Sequence, residues 1–201
     1  MAQIKKVYWD TCVWLGLINQ EPDKLKRCEY VLSQARAKEL EIWTSAFTLA
    51  EVYKITVEGK AQSLPDNKDI EFESYIEQDF LVVAQVDIDL GVMARRLLRR
   101  HPPLKKPPDA IHLATAVFHN LDEFHTFDDK NILPLNGLVN RADGVSLQIC
   151  YPPEPPPLTQ QLDLVAIAEA ESNKPSSVAA LQAAATDSTD AGPSAPTPNT
   201  E

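Results

Sequence analysis

The sequence is poor in the features that mark secreted and membrane proteins. Its three cysteines, Cys12, Cys28 and Cys150, are an odd number without C-x-x-C spacing, which argues against a disulfide framework or structural zinc and suits a reducing compartment. No apolar run approaches about 18 residues, the minimum for a membrane span, and the N-terminal MAQIKKVYWDT lacks the apolar core of a signal peptide. A soluble, cytoplasmic protein is expected. No internal repeat is visible, and His101, His119 and His125 lack metal-ligand spacing. Positive charge is scarce as well: 19 Lys and Arg face 29 Asp and Glu, a formal charge of −10. Taken whole, that balance disfavours a nucleic-acid partner.

The charge is unevenly spread. From Pro152 onward the chain holds 9 of the 16 prolines, no aromatic residue, and seven acids against one Lys. Such a segment buries too little apolar area to offset chain entropy, and residues 152–201 are expected to be a disordered low-complexity tail. Within it, Leu158, Leu162, Val165 and Ala166 fall at helical spacing, giving either a short docking helix over 158–171 or a transient one. Residues 1–151 carry a net −4.

In that first segment, short apolar runs alternate with helical patterns. Strands are expected at 4–9, 41–44, 81–86, 123–126 and 145–149. Helices are expected at 11–19, 23–40, 47–58 (between Ser45 and Gly59), 67–80, 88–100 and 108–120. The alternation implies an α/β domain whose parallel sheet is covered on both faces. Trp9, Trp14 and Trp43 lie in or beside the strands and read as core.

Four carboxylates stand at places where such a sheet concentrates chemistry. Asp10 follows VYW and Asp128 follows EFHTF, both at strand carboxyl ends. Glu51, in FTLAEVYKI, and Asp109, in PPDAIHLATAV, lie early in expected helices. Each alone is also explained as a cap, a turn former or a surface acid. Together they form an oxygen cluster that cannot stay fully ionised without cations. Mg²⁺ or Mn²⁺ suits such donors, and a metal there activates water toward a phosphodiester.

At these residues the chain resembles the PIN-domain family, named after the PilT N-terminus. The matching segments are VYWDTCVWLGLI, SAFTLAEVYK, PPDAIHLATAV and FHTFDDKNI, in the family's order across residues 4–150. The resemblance implies a three-layer α/β/α sandwich and a divalent-metal endoribonuclease. It assigns Asp10, Glu51, Asp109 and Asp128 to the acidic quartet that binds metal and carries catalysis, with Thr11 and Thr126 in support. Asp129 competes with Asp128 for the fourth place, and the Thr-x-Asp spacing selects Asp128. Cys12 departs from the family's usual Asn or Ser, so a polar contact to Asp10 is expected to be missing. Among VapC-type toxins of the family, the implied partners are RNA, a cognate antitoxin and a homodimer, with no membrane. A catalytically silent module that binds RNA or protein is the alternative. A haloacid-dehalogenase-type phosphatase is disfavoured because Cys12 stands where its second Asp is needed.

RRLLRRHPPLKKPPD brings Arg95, Arg96, Arg99, Arg100, Lys105 and Lys106 up to Asp109 with no acid between. It reads either as a phosphate-facing stripe or as a solvated helix end whose cations complement the dipole. His112, one turn after Asp109, reads as a packed residue. The eight acids from Asp66 to Asp89 form either a solvated face or a partner surface.

Overall fold

The structure, a computed structural model, describes residues 4–57 and 60–157. The elements run β1 (Lys5–Trp9), α1 (Thr11–Ile18), α2 (Pro22–Arg36), β2 (Leu40–Ser45), α3 (Ala46–Glu51), β3 (Lys54–Val57) and β4 (Lys60–Ser63). Then follow α4 (Asp66–Ile76), β5 (Leu81–Ala84), α5 (Ile88–Arg100), α6 (Pro107–Phe118), β6 (Glu123–His125) and β7 (Gln148–Cys150). A parallel sheet has the order β5-β2-β1-β6-β7. The chain builds outward from β1 through β2 to β5, then returns to the other side of β1 for β6 and β7. The order therefore reverses between β1 and β6, and their carboxyl ends bound a crevice of the kind in which open parallel sheets bind ligands.

Strand alternation explains the layers. In β1 Val7, Tyr8 and Trp9 are all fully buried, as a strand covered on both faces requires. Val7 and Trp9 pack with Val13, Trp14, Val31 and Phe72 from α1, α2 and α4. Tyr8 joins Leu90, Leu113 and Phe124 on the opposite side, against α5 and α6. The result is the expected α/β/α sandwich. No helix among the described residues is long and apolar enough to cross a membrane.

Several element boundaries differ from the expected ones. The helix expected over 23–40 stops at Arg36, because Lys38 adopts φ 62° and the chain enters β2 at Leu40. The acidic helix expected over 67–80 ends at Ile76, and the last strand is 148–150 rather than 145–149. The helix expected over 47–58 ends at Glu51 and gives way to the antiparallel hairpin β3–β4. Apolar spacing in FTLAEVYKI fits a helix, but the β-branched Ile55, Thr56 and Val57 favour a strand. The expected cap Gly59 and helix 158–171 lie outside the described residues. Near the end of the described chain Pro152 is buried, and Arg27 donates to its carbonyl at 2.8 Å and pairs with Glu154.

β1 and β6 are tied by a polar cluster. Lys5 pairs with Glu123 at 2.7 Å. Burial acts to raise the Glu123 carboxyl, but the His125 hydrogen bond and Lys5 outweigh it and bring it down to about 2. A depressed carboxyl contributes stability above its unfolded value, which is lost as pH falls through the folded one. Glu123→Gln is therefore expected to flatten the loss of stability between about pH 4.5 and pH 2, measured by urea unfolding at each pH.

Candidate metal centre

The site begins with Asp10, which leaves β1 and caps α1: its Oδ1 accepts from Val13 N at 3.1 Å. Serving as a cap explains its position; its burial, with 6% exposed, calls for more. Burial raises its carboxyl above the ordinary range, and hydrogen bonds from Cys12 and Thr126 only partly offset this.

Cys12 does not leave the gap that the sequence suggested. Its Sγ donates to Asp10 Oδ1 at 2.9 Å, accepts from Phe127 N at 3.0 Å and lies 3.5 Å from Thr126 Oγ1. Burial and the adjacent Asp10 push the thiol up, so it remains an S–H donor. Thr126 in turn accepts from Asp128 N at 3.0 Å, so Cys12 and Thr126 join the ends of β1 and β6.

Glu51 is the last residue of α3 rather than an early one. A carboxylate at a helix C-terminus opposes the dipole and needs other partners. Thr11 Oγ1 donates to its Oε2 at 2.5 Å, and His112 Nε2 does so at 2.7 Å. Burial acts to raise Glu51, yet these hydrogen bonds together with Lys106 hold it below its ordinary value. With Nε2–H given to Glu51, His112 Nδ1 accepts from the buried Tyr8 hydroxyl at 2.7 Å. His112 is thus a packed residue, as expected, but one that orients Glu51.

Asp109 lies in the first turn of α6. Its Oδ2 is buried with no hydrogen-bond partner among the described residues. Burial raises this carboxyl, Asp128 and Asp10 raise it further, and Lys106 and His112 act against them. Asp128 Oδ1 accepts from Lys130 N at 3.0 Å and Asn131 N at 2.9 Å, and Asn131 Nδ2 reaches Oδ2 at 2.8 Å. These bonds and Lys106 outweigh burial and keep Asp128 below its ordinary value.

The four acids line one cleft of about 160 Å³ together with Thr11, Cys12 and His112. Asp129 faces a different groove, beside Asp23, Arg27 and Tyr151. A buried, unpartnered carboxylate oxygen among like charges, in an all-carboxylate donor set, fits a hard divalent ion.

The model of the PIN domain matches residues 7–133. The chain belongs to the PIN-domain family. A search of curated proteins gives no match. Among solved structures this PIN domain is similar to VapC20 of Mycobacterium tuberculosis, a sarcin-ricin loop cleaving toxin, with 18% identity over 61% of this chain and 89% of that one, TM-score 0.47. It is also similar to a toxin-antitoxin complex from Klebsiella pneumoniae, with 21% identity over 74% and 99%, TM-score 0.49. A third is VapBC2 from Rickettsia felis bound to a DNA fragment from their promoter, with 12% identity over 72% and 98%, TM-score 0.48.

Of the six basic residues leading to Asp109, Lys106 acts on the PIN domain's cleft, since its charge lowers Glu51, Asp109 and Asp128. Arg95, Arg96, Arg99, Arg100 and Lys105 are exposed on α5 and the turn after it. Trp9 and Trp14 are fully buried, as a core reading expects. Two contributors escaped the sequence reading: Tyr8, which sets the donor side of His112, and Asn131, which clamps Asp128. For Asn131 the signal was present, because an Asp three residues before an Asn readily folds onto its own backbone.

A second group of donor atoms, from Glu123, His125 and Cys150, lies within 4.8 Å. The Trp9 indole, which can only donate, points Nε1 at His125 Nδ1 at 3.2 Å. Burial lowers His125 and keeps it neutral, so its one proton sits on Nε2 and goes to Glu123 at 2.9 Å. No imidazole lone pair is left for a metal, and the cluster is a hydrogen-bonded tie between strands.

Proposed function

We propose that the protein is a divalent-metal-dependent endoribonuclease acting at the Asp10–Glu51–Asp109–Asp128 cleft. The observation that carries this reading is the convergence of the four acids in one cleft with Asp109 Oδ2 buried and unpartnered. Family membership supports it, since PIN domains are nucleases. Asp10, Asp109 and Asp128 would hold Mg²⁺ or Mn²⁺, which when bound supplies Lewis acidity toward the phosphodiester and toward water. Glu51 has its Oε2 fixed by Thr11 and His112. Its other oxygen would orient the metal or the attacking water. Cys12 and Thr126 hold Asp10 and Asp128 across the two strands, and Lys106 draws the phosphate backbone toward the acids. The remaining exposed cations, Arg95, Arg96, Arg99, Arg100 and Lys105, would extend phosphate contact outward.

The more specific form of the reading is a cytoplasmic toxin restrained by an antitoxin, which the motif content of residues 4–150 implies. A silent module drew its support from Cys12 and the long tail; of these, Cys12 donates to Asp10. Incubation of the protein with structured and unstructured RNA in Mn²⁺ is expected to give cleavage that Asp10→Asn abolishes. Equal cleavage by both proteins would refute the assignment. Growth arrest on expression, relieved by the same substitution, tests the toxin role.

A further inference from the structure

The acid cleft does not end at Glu51. A groove of about 390 Å³ shares Thr11, Leu15 and Glu51 with it and continues to Tyr53, Lys54 and Asn19. Its volume falls in the range of about 300–1,000 Å³ typical of small-ligand sites. We propose that this groove binds an unpaired nucleotide of the RNA adjoining the scissile phosphate, with Tyr53 as the stacking platform. The proposal rests on the nuclease reading of the neighbouring cleft and names the form of RNA that it accepts.

Three groups carry the inference. Tyr53 follows directly on the buried Val52 that caps α3, yet the residue is 57% exposed. Lys54 places its ammonium 4.9 Å from the ring centroid, hydrogen-bonded to the Tyr53 side chain and attracted by Glu51. Asn19, at the end of α1, offers a carboxamide that makes no side-chain hydrogen bond to them. A planar ring, a cation held beside it and an amide without a side-chain hydrogen bond are the chemistry that recognises a splayed-out nucleotide: base face, phosphate and base edge. A base locked in a duplex cannot lie on the ring, so the groove selects single-stranded or looped RNA.

The test uses the full chain with an unstructured RNA oligonucleotide. In Mn²⁺, Tyr53→Ala is expected to raise KM about tenfold with a much smaller change in kcat, and Tyr53→Phe to restore KM. Fluorescence anisotropy of the labelled RNA in an Asp10→Asn background is expected to show the same loss for Tyr53→Ala. Lys54→Ala is expected to reduce the slope of affinity against salt by about one ion. Unchanged KM and RNA affinity in Tyr53→Ala would overturn the proposal, as would failure of Tyr53→Phe to restore them. RNA affinity unchanged while a bound protein inhibitor is lost would make the groove a peptide site and overturn it too. A wild-type protein that cleaves no RNA refutes the nuclease reading instead, and anisotropy still decides the groove.

Discussion

Asp109→Asn is expected to reduce RNA cleavage about a thousandfold, a loss near 4 kcal/mol of transition-state stabilisation, while making the metal-free protein more stable. The two effects share one cause. Asp109 is raised by burial and by Asp128 and Asp10, and its Oδ2 has no partner. Ionised, it is costly without a cation; as an amide, it carries no charge and offers hydrogen to the facing carboxylates. Its removal therefore relieves the apo fold, read as a rise of a few degrees in Tm. It also deletes an oxygen ligand, so the rise in Tm that saturating Mn²⁺ gives the wild type should largely vanish. Thermal melts with and without Mn²⁺, beside a cleavage assay, read both signs. Unaltered turnover with an unaltered Mn²⁺ shift would remove Asp109 from the centre.

The largest effect on stability is expected from Trp14→Ala, at about 3–5 kcal/mol, which is a large part of the total for a domain of this size. Trp14 is fully buried, and its ring meets Trp9 edge-on at 4.9 Å and Phe72 at 5.5 Å. Its indole also donates to Thr44 Oγ1 at 3.3 Å, tying α1 to β2. The consequence reaches the site, because α1 starts at the cap made by Asp10. Urea unfolding measures the cost, and a value below about 1 kcal/mol would mean that the core tolerates the cavity.

Much of the site was legible because its carriers sit at the ends of strongly patterned elements. VYWD places Asp10 at a strand end, Pro107 and Pro108 place Asp109 in a first turn, and Thr126 selects Asp128 over Asp129 through its bond to Asp128 N. What stayed hidden depends on strand order and on residues far apart in the chain. Tyr8 and His112 meet across 104 positions, and Cys12 and Phe127 across 115. The first is invisible until α6 packs on β1, the second until β6 lies beside β1. Glu51 was named from its motif, but its placement was misread. Helical periodicity was carried past it into a β-branched segment, and that hid both the helix end and the groove beyond it.

The overall acidity also takes on a different meaning. The net charge of residues 1–151 is −4, equal to the charge of the four acids in the cleft, so bound cations there would leave the domain near neutral toward RNA.

The most direct measurement is calorimetric titration of Mn²⁺ into the full chain, the Asp10→Asn variant and, as a control, Glu123→Gln. A metal centre at the cleft predicts saturable binding to the wild type and to Glu123→Gln, weakened by more than about tenfold in Asp10→Asn. Absence of binding to the wild type, or equal affinity in Asp10→Asn, would contradict it.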